Sequence, residues 1–475
     1  MEKEMFLRMN GNSIRIGLLS LATMAAAGAG FAGAVEPAAT TPKGETFLIA
    51  TDAPLASVAS FSVEIQSIDA VNTSTGVSVP LLSSPATVDF ARFNGLQTLL
   101  DINQVPVGTY NEIVITLADP SLGYLMTSTG NPPAIQTITP TLTATSITHK
   151  LASELVVTAS EPVGIRMDFD LHKSIQVSGG QITGTVDPTF NIGVVRPSAP
   201  GAYIDQFDAA VISTNAQDQT FVVQGPHGRL WTIATTGSTE WDGGATFSQL
   251  APNTIVELSG SLERATSTIT ADEVTILSQT GFYAAGQNTF VTSSSGSATS
   301  FDLYVRALLP ASGTGDAGVK LGEIATVDLS DTTKFFVRWS GSRLPESISE
   351  LIFNPKAMVA GQSIAIGGPL SGATNASGVS TKRVVLREWG YVGTVETGSV
   401  NVDKDTFKIK VDGFAGQLIP QTVDVYLTGR TAFRYGYSGI RTIHGGDVVR
   451  VVGLLLQNPN TGSTVLVGKY VDALD

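Results

Sequence analysis

Three groups of residues carry the types and spacings from which chemistry is built. Asp168, Asp170 and His172 fall at every second position. Along a strand alternate side chains share a face, and two carboxylates with an imidazole can hold a divalent ion. The plainer alternative turns Phe169 and Leu171 into a core and leaves the polar trio as an outer face. Asn401, Asp403 and Asp405, with Asp412 further on, echo a calcium loop. Thr406 stands where that loop needs Gly and Asp412 where it needs Glu, so a hairpin turn fits better. The third group is aromatic: Trp231, Trp241, Trp339 and Trp389, with Tyr391, Tyr435 and Tyr437. Such rings stack on sugars, and small β-barrels bind oligosaccharides on one face. Trp241, Trp389, Tyr435 and Tyr437 are the ligand-binding candidates. Arg434, Tyr435, Tyr437 and Arg441 form the most exposed-looking cluster, with a barrel rim as the plain alternative. Asp52-Ala53-Pro54 reads as a structural turn whose Asp accepts backbone hydrogen bonds.

Enzyme motifs are thin. None of His149, His172, His227 and His444 sits in an H-E-x-x-H pattern, and the sequence has neither a G-x-S-x-G elbow nor a phosphate-binding G-x-x-x-x-G-K-[ST] loop. Zero Cys excludes a thiol nucleophile, a Cys-ligated metal, a disulfide framework and a Cys-borne lipid anchor. A glycosidase needs only two carboxylates, and 41 acidic residues leave room for a pair. An enzyme would need a pocket with convergent carboxylates at the junction of the first domain and the first repeat, and small repeated units do not suggest one. The expectation is a non-enzymatic protein without cofactor or metal. A net charge of −13 argues against a nucleic-acid partner. With 42% apolar and 15% charged residues the chain folds around apolar cores rather than staying disordered.

The elements that must position these residues read as strands. Residues 1–34 carry Lys3, Arg8 and Arg15, an apolar stretch from Ile16 to Ala27, and Ala32-Gly33-Ala34 before Val35, the pattern of a cleaved signal peptide. An uncleaved anchor is the rival reading, and no second apolar run of spanning length follows. Residues 35–45 form a flexible leader. Beyond it Phe61, Val63 and Ile65 alternate with Ser62, Glu64 and Gln66, and Ile113, Ile115 and Leu117 alternate with their neighbours. Period-two alternation broken by Gly, Asn, Asp and Pro is the all-β signature. A short helix around Glu346–Leu351 is the one exception the sequence allows. A Pro/Gly-rich break falls at Arg196–Gly201.

After the break the chain repeats itself. Gly201-Ala202-Tyr203, Gly281-Phe282-Tyr283 and Trp389-Gly390-Tyr391 open three units. Each carries Thr-x-aromatic (Thr239/Trp241, Thr333/Phe335, Thr431/Phe433), then an apolar strand ending in Gly260, Gly367 or Gly453, then a closing strand. Gly there suits a bulge at a barrel corner. The fold class is all-β: one β-sandwich-like domain (46–196) followed by three small β-barrel-like repeats, 201–280, 281–388 with insertions near 310–318 and 341–350, and 389–475. Short linkers point to a stiff rod.

The first domain resembles domain of unknown function family 4382, through Phe47-Leu48-Ile49-Ala50-Thr51-Asp52-Ala53-Pro54-Leu55, Val105-Pro106-Val107-Gly108-Thr109-Tyr110, and Met167-Asp168-Phe169-Asp170-Leu171 with Ser174. The repeats resemble domain of unknown function family 5666 through the Thr-x-aromatic and strand-Gly pattern. The resemblance implies an exported bacterial protein and supplies no activity. The function expected is structural or adhesive display of tandem β modules in the periplasm, on the cell surface or outside the cell. Its partner would be an envelope protein or polysaccharide. The alternative is carbohydrate binding on the repeats' aromatic platforms.

Overall fold

The computed structural model describes residues 41–474 apart from 94, 129–130, 198, 226–229, 242–244, 263–267, 280, 310–318, 338–352, 369–378, 412–421 and 459–460. The expected signal, most of the leader, both insertions, the helix near Glu346–Leu351, and Trp339, His227 and Asp412 lie outside the described residues. The described fold is nearly all β, with a single four-residue helical turn, Leu171–Ser174, among short 3-10 turns.

The alternating stretches pair with each other. Strands Val58–Asn72 and Gly108–Ser128 run antiparallel through the middle of one sheet. Phe61, Val63, Ile65, Ile113, Ile115 and Leu117 are all buried on its inner face. The opposing sheet is built on Lys43–Ala53, flanked by Thr98–Pro106 antiparallel and Val163–Asp170 parallel, with Phe190–Val195 outside. Both sheets feed one core. At its centre the Phe169 ring lies 5.1 Å from Phe61, 4.9 Å from Phe90 and 4.8 Å from Phe190. Two sheets around one apolar layer is a β-sandwich.

In the first repeat, strands Ile204–Asn215, Thr220–Gln224 and Leu230–Ala234 form an antiparallel meander. The third strand pairs parallel with Thr268–Ser278, which returns antiparallel through Ile255–Leu262 to the first. The last repeat closes the same way: Trp389–Val395, Thr406–Val411, Thr422–Arg434, then Thr464–Ala473 and Val448–Gln457. This 1-2-3-5-4 order is the Greek key of the OB-fold. The middle repeat follows the same path, its closing strand split into Val379–Ser380 and Arg383–Arg387.

The Thr-x-aromatic motif acquires a physical reason here. The third-to-fifth-strand seam is broken in every repeat, and the motif threonine spans the gap. The Oγ1 atoms of Thr239, Thr333 and Thr431 donate to the carbonyls of Ala271, Thr381 and Gly468 at 2.7, 3.0 and 2.6 Å. Each also accepts the backbone N–H three residues earlier, from Thr236, Ser330 and Thr428. One hydroxyl thus satisfies two backbone groups that the broken ladder leaves over. The strand-ending glycines divide. At Gly260 and Gly453 the register slips, and a Cβ would sit 2.1 and 1.9 Å from the carbonyl oxygens of Thr270 and Val467. At Gly367 the nearest atom would be 3.5 Å away, so that glycine marks no bulge.

The rod expectation fails. The barrels pack on one another and on the sandwich. Phe47, Ile49 and Leu99 share a core with Ile204 and Leu258 of the first barrel. Ala210, Ile255 and Leu277 meet Tyr283, Leu309 and Val385 of the second. Leu454, Leu456, Val465 and Val467 of the third join the core of the second. The cause is visible in strands such as Val448–Gln457, apolar on both faces apart from Arg450 and buried over almost its whole length. A barrel wall with two apolar faces needs a neighbour outside as well as a core inside. Among the described residues no helix is long and apolar enough to cross a membrane.

Candidate functional site

Buried charges gather where the four modules meet. Arg450, on the fourth strand of the last barrel, is only 1% exposed. Its guanidinium donates to Asp472 at 2.9 Å, and across the module boundary to Asp168 at 3.1 Å and the Asp52 carbonyl at 2.6 Å. Arg434 grips Asp472 through two bonds of 2.7 and 3.0 Å, and Arg166 donates to Asp168 at 3.1 Å. Burial pushes the Asp472 carboxyl up, but Arg450 and Arg434 outweigh it and hold the group below the usual carboxylate range. Asp52 goes the other way, to about 8. Burial dominates, the 2.6 Å bond from the Gly95 N–H opposes it, and the nearby Asp168 charge adds to it.

A second set of charges ties the barrels together. Arg387, ending the closing strand of the second barrel, donates to Asp208 of the first at 2.8 Å and pairs with Glu257 at 2.7 Å. Burial would strip its proton, yet Asp208, Tyr283 and Glu257 hold its affinity for that proton above the usual arginine value. Burial pushes the Asp208 carboxyl up, only partly offset by Arg387. The next residue, Glu388, accepts from Gln206 at 2.8 Å and from Lys469 of the third barrel at 2.9 Å. Tyr470 donates to Asp205 at 3.0 Å. Arg306 crosses from the second barrel to the sandwich carbonyls of Ala91 and Val58 at 2.6 and 2.9 Å, with its guanidinium 4.4 Å above the Trp389 ring.

Six members of this second set, Asp205, Gln206, Asp208, Arg306, Arg387 and Glu388, line a cavity of about 620 Å³. The sandwich supplies Ser84–Val88, Arg92, Phe93 and Leu96–Leu100 along one wall, the first barrel Asp205–Asp208 and Trp231, the second Arg306, Arg387 and Glu388, and Trp389 completes it. A β-bulge makes this convergence possible. Between Ile204 and Phe207 the register slips, and Gln206 takes a left-handed φ of 41°. The extra residue breaks strict alternation, so four consecutive residues, Asp205 to Asp208, reach one cavity. The sequence offered no sign of the bulge. The repeated small units therefore do enclose a large pocket, between modules rather than inside one, and carboxylates converge there.

The residues singled out from sequence are not brought together. Trp389 is buried and lines the cavity. Trp241 packs edge-on against Phe247 in the first barrel. Tyr435, just after the third strand of the last barrel, is 42% exposed, with its ring beside the guanidiniums of Arg166 at 4.8 Å and Arg434 at 5.6 Å. Tyr437 donates to Asp447 at 2.9 Å. Trp231 is buried and Tyr391 donates to the Gly361 carbonyl, so both belong to cores and module contacts. The Asp168–His172 trio does not share a face. The strand ends at Asp170, whose side chain accepts the Lys173 N–H and caps the helical turn holding His172. Nor is Asp168 on an outer face: it is buried against Arg450 and Arg166. Asn401 accepts the Lys404 N–H in a hairpin turn. Asp52 accepts a bond from Gly95, far along the chain, rather than from its own turn.

Residues 43–186 match the family model described as Domain of unknown function (DUF4382), and residues 210–275 match the one described as Domain of unknown function (DUF5666). Both are the families the sequence resembles, the second match falling within the first repeat. No curated protein matches the chain. Among solved structures, CusF with Ag(I) from Escherichia coli is 16% identical, covering 19% of this chain and 94% of its own, with a TM-score of 0.14. Drosophila Unr CSD456 is 9% identical, covering 57% of this chain and 97% of its own, with a TM-score of 0.14. At that score neither likeness carries an argument.

Proposed function

We propose that this is an exported, non-enzymatic protein of the bacterial envelope or extracellular space, serving as a rigid structural or adhesive body. The supporting observation is the set of buried ion pairs that crosses module boundaries: Arg450–Asp168, Arg387–Asp208 and Lys469–Glu388. Charges taken out of water are costly unless held in fixed geometry, so the modules cannot slide or hinge without exposing an unpaired charge. Tandem faces held at fixed spacing bind a repeating partner with a high effective concentration. The partner in this reading is an envelope protein or polysaccharide. Export rests on the Lys3/Arg8/Arg15 start, the apolar stretch and Ala32-Gly33-Ala34. Two of the three lining acids, Asp208 and Glu388, are each committed to a cation, which favours a structural over a proton-transferring role.

Cell fractionation with N-terminal sequencing tests the address, and co-sedimentation with purified envelope fractions tests the adhesion. The expected result is an envelope or secreted chain starting at Val35 that pellets with one fraction. A cytoplasmic chain with residues 1–34 intact would overturn the reading.

A further inference from the structure

We infer that the junction cavity is a binding site for a neutral, polyhydroxylated small molecule of the saccharide class. Its volume of about 620 Å³ falls in the range of small-molecule sites, roughly 300–1,000 Å³. Its walls mix indole rings, Trp231 and Trp389, with polar groups that are not used up. Asp205, Gln206 and Arg387 are all buried, and Asp205 Oδ2, Gln206 Oε1 and Arg387 Nε have no hydrogen-bond partner. Two acceptors and one donor are therefore left over around one space. Leaving such groups buried and unmatched is expensive. A hydroxyl both donates and accepts, so a ligand rich in hydroxyls satisfies all three, while its C–H faces rest on the indoles.

Charge selects against ionic ligands. Asp205, Asp208 and Glu388 face Arg92, Arg306 and Arg387 around the lining, a formal balance of zero. The closest of these are already paired across modules, Arg387 with Asp208 at 2.8 Å and Glu388 with Lys469 at 2.9 Å. An anion or cation entering the cavity would have to break one of those pairs and leave its partner charged and buried. The site shares Trp231 and Trp389 with the aromatic set read from the sequence, but it lies between modules rather than on a barrel rim. It is also independent of the rigid-body role: a cavity holding only water would leave that role intact.

The test is titration of the purified full chain with maltose, cellobiose and N,N′-diacetylchitobiose at millimolar concentration, followed by calorimetry and tryptophan fluorescence. Glucose 6-phosphate and glucosamine serve as the charged arms. At least one neutral sugar should bind saturably and the charged arms should not. Asp205→Asn converts one carboxylate oxygen to an amide and should weaken binding about tenfold. That variant also touches Tyr470, so a second is needed. Thr87 lines the cavity at an exposed position, and Thr87→Trp should block entry with the urea midpoint unchanged. Failure of every neutral sugar to bind would overturn the proposal. So would binding unaltered in both variants, or tighter binding of a charged arm.

Discussion

Arg450→Met is the sharpest perturbation of the junction. The side chain is fully buried, and methionine matches its stem while deleting the guanidinium. The change removes the bonds to Asp472, Asp168 and the Asp52 carbonyl. Breaking a buried pair by deleting one partner costs about 3–5 kcal/mol, because the other charge stays buried. Here both carboxylates keep a second cation: Asp472 retains Arg434 at 2.7 Å, and Asp168 retains Arg166 at 3.1 Å. The expected loss is therefore about 3 kcal/mol, the low end of that range. Urea unfolding at pH 7 reads it as a lower midpoint with an unchanged slope. Arg450→Lys should recover part of the loss, since an ammonium restores charge without the forked geometry. The deficit should also shrink in acid. Asp472 has its pKa held low when folded, so its contribution is present above the unfolded value and lost as pH falls through the folded one. Below about pH 4 the carboxylates that lost Arg450 in the variant are increasingly neutralised. A loss under about 1 kcal/mol, as for a solvent-exposed pair, would refute the reasoning. It would mean that the contact between sandwich and last barrel is open to water.

Three further outcomes follow from the same geometry. Asp52, raised by burial to about 8 in the folded chain from the ordinary carboxylate value of 3.8, holds a proton that the unfolded chain releases between those values. Wild-type stability should therefore fall as pH rises through that window, by about 1.4 kcal/mol per pH unit, and flatten above it. Asp52→Asn should lack that component in a urea series across pH, and parallel curves for the two proteins would refute the assignment. Thr431→Val should cost about 1–3 kcal/mol by leaving the Gly468 carbonyl and Thr428 N–H unmatched, measured as a shift of the thermal midpoint. Thr239→Val should do the same in the first barrel. Gly453→Ala should cost about 1–3 kcal/mol by forcing a Cβ against the Val467 carbonyl, whereas Gly367→Ala should be far milder, a contrast the same thermal scans would show.

The sequence by itself determined the strands and their faces. Phe61, Val63 and Ile65 had to point one way because a strand's period is two, and the polar neighbours left only one side for a core. It also determined that three units share one plan. Thr-x-aromatic is legible because a hydroxyl bridging two backbone groups must recur at the same place in the same ladder. Its role was not legible, since the broken seam lies between strands far apart in the chain. The run from Val448 to Leu456 held a further clue, a strand apolar on both faces apart from Arg450, that the barrels do not stand alone.

Tertiary structure alone decided the rest. Asp168 looked like the polar side of a strand, and became one end of a buried pair only because Arg450, 282 residues away in sequence, meets it. The cavity exists only between modules, and it draws on a bulge at Gln206 that no residue pattern announces. Trp389 read as a surface platform because its chemistry is the same inside or out. Its burial was set by where Arg306 and the neighbouring barrel came to rest. Local periodicity fixes which face of an element is apolar. Which element covers that face, and which charges are trapped beneath it, is a long-range choice made by packing.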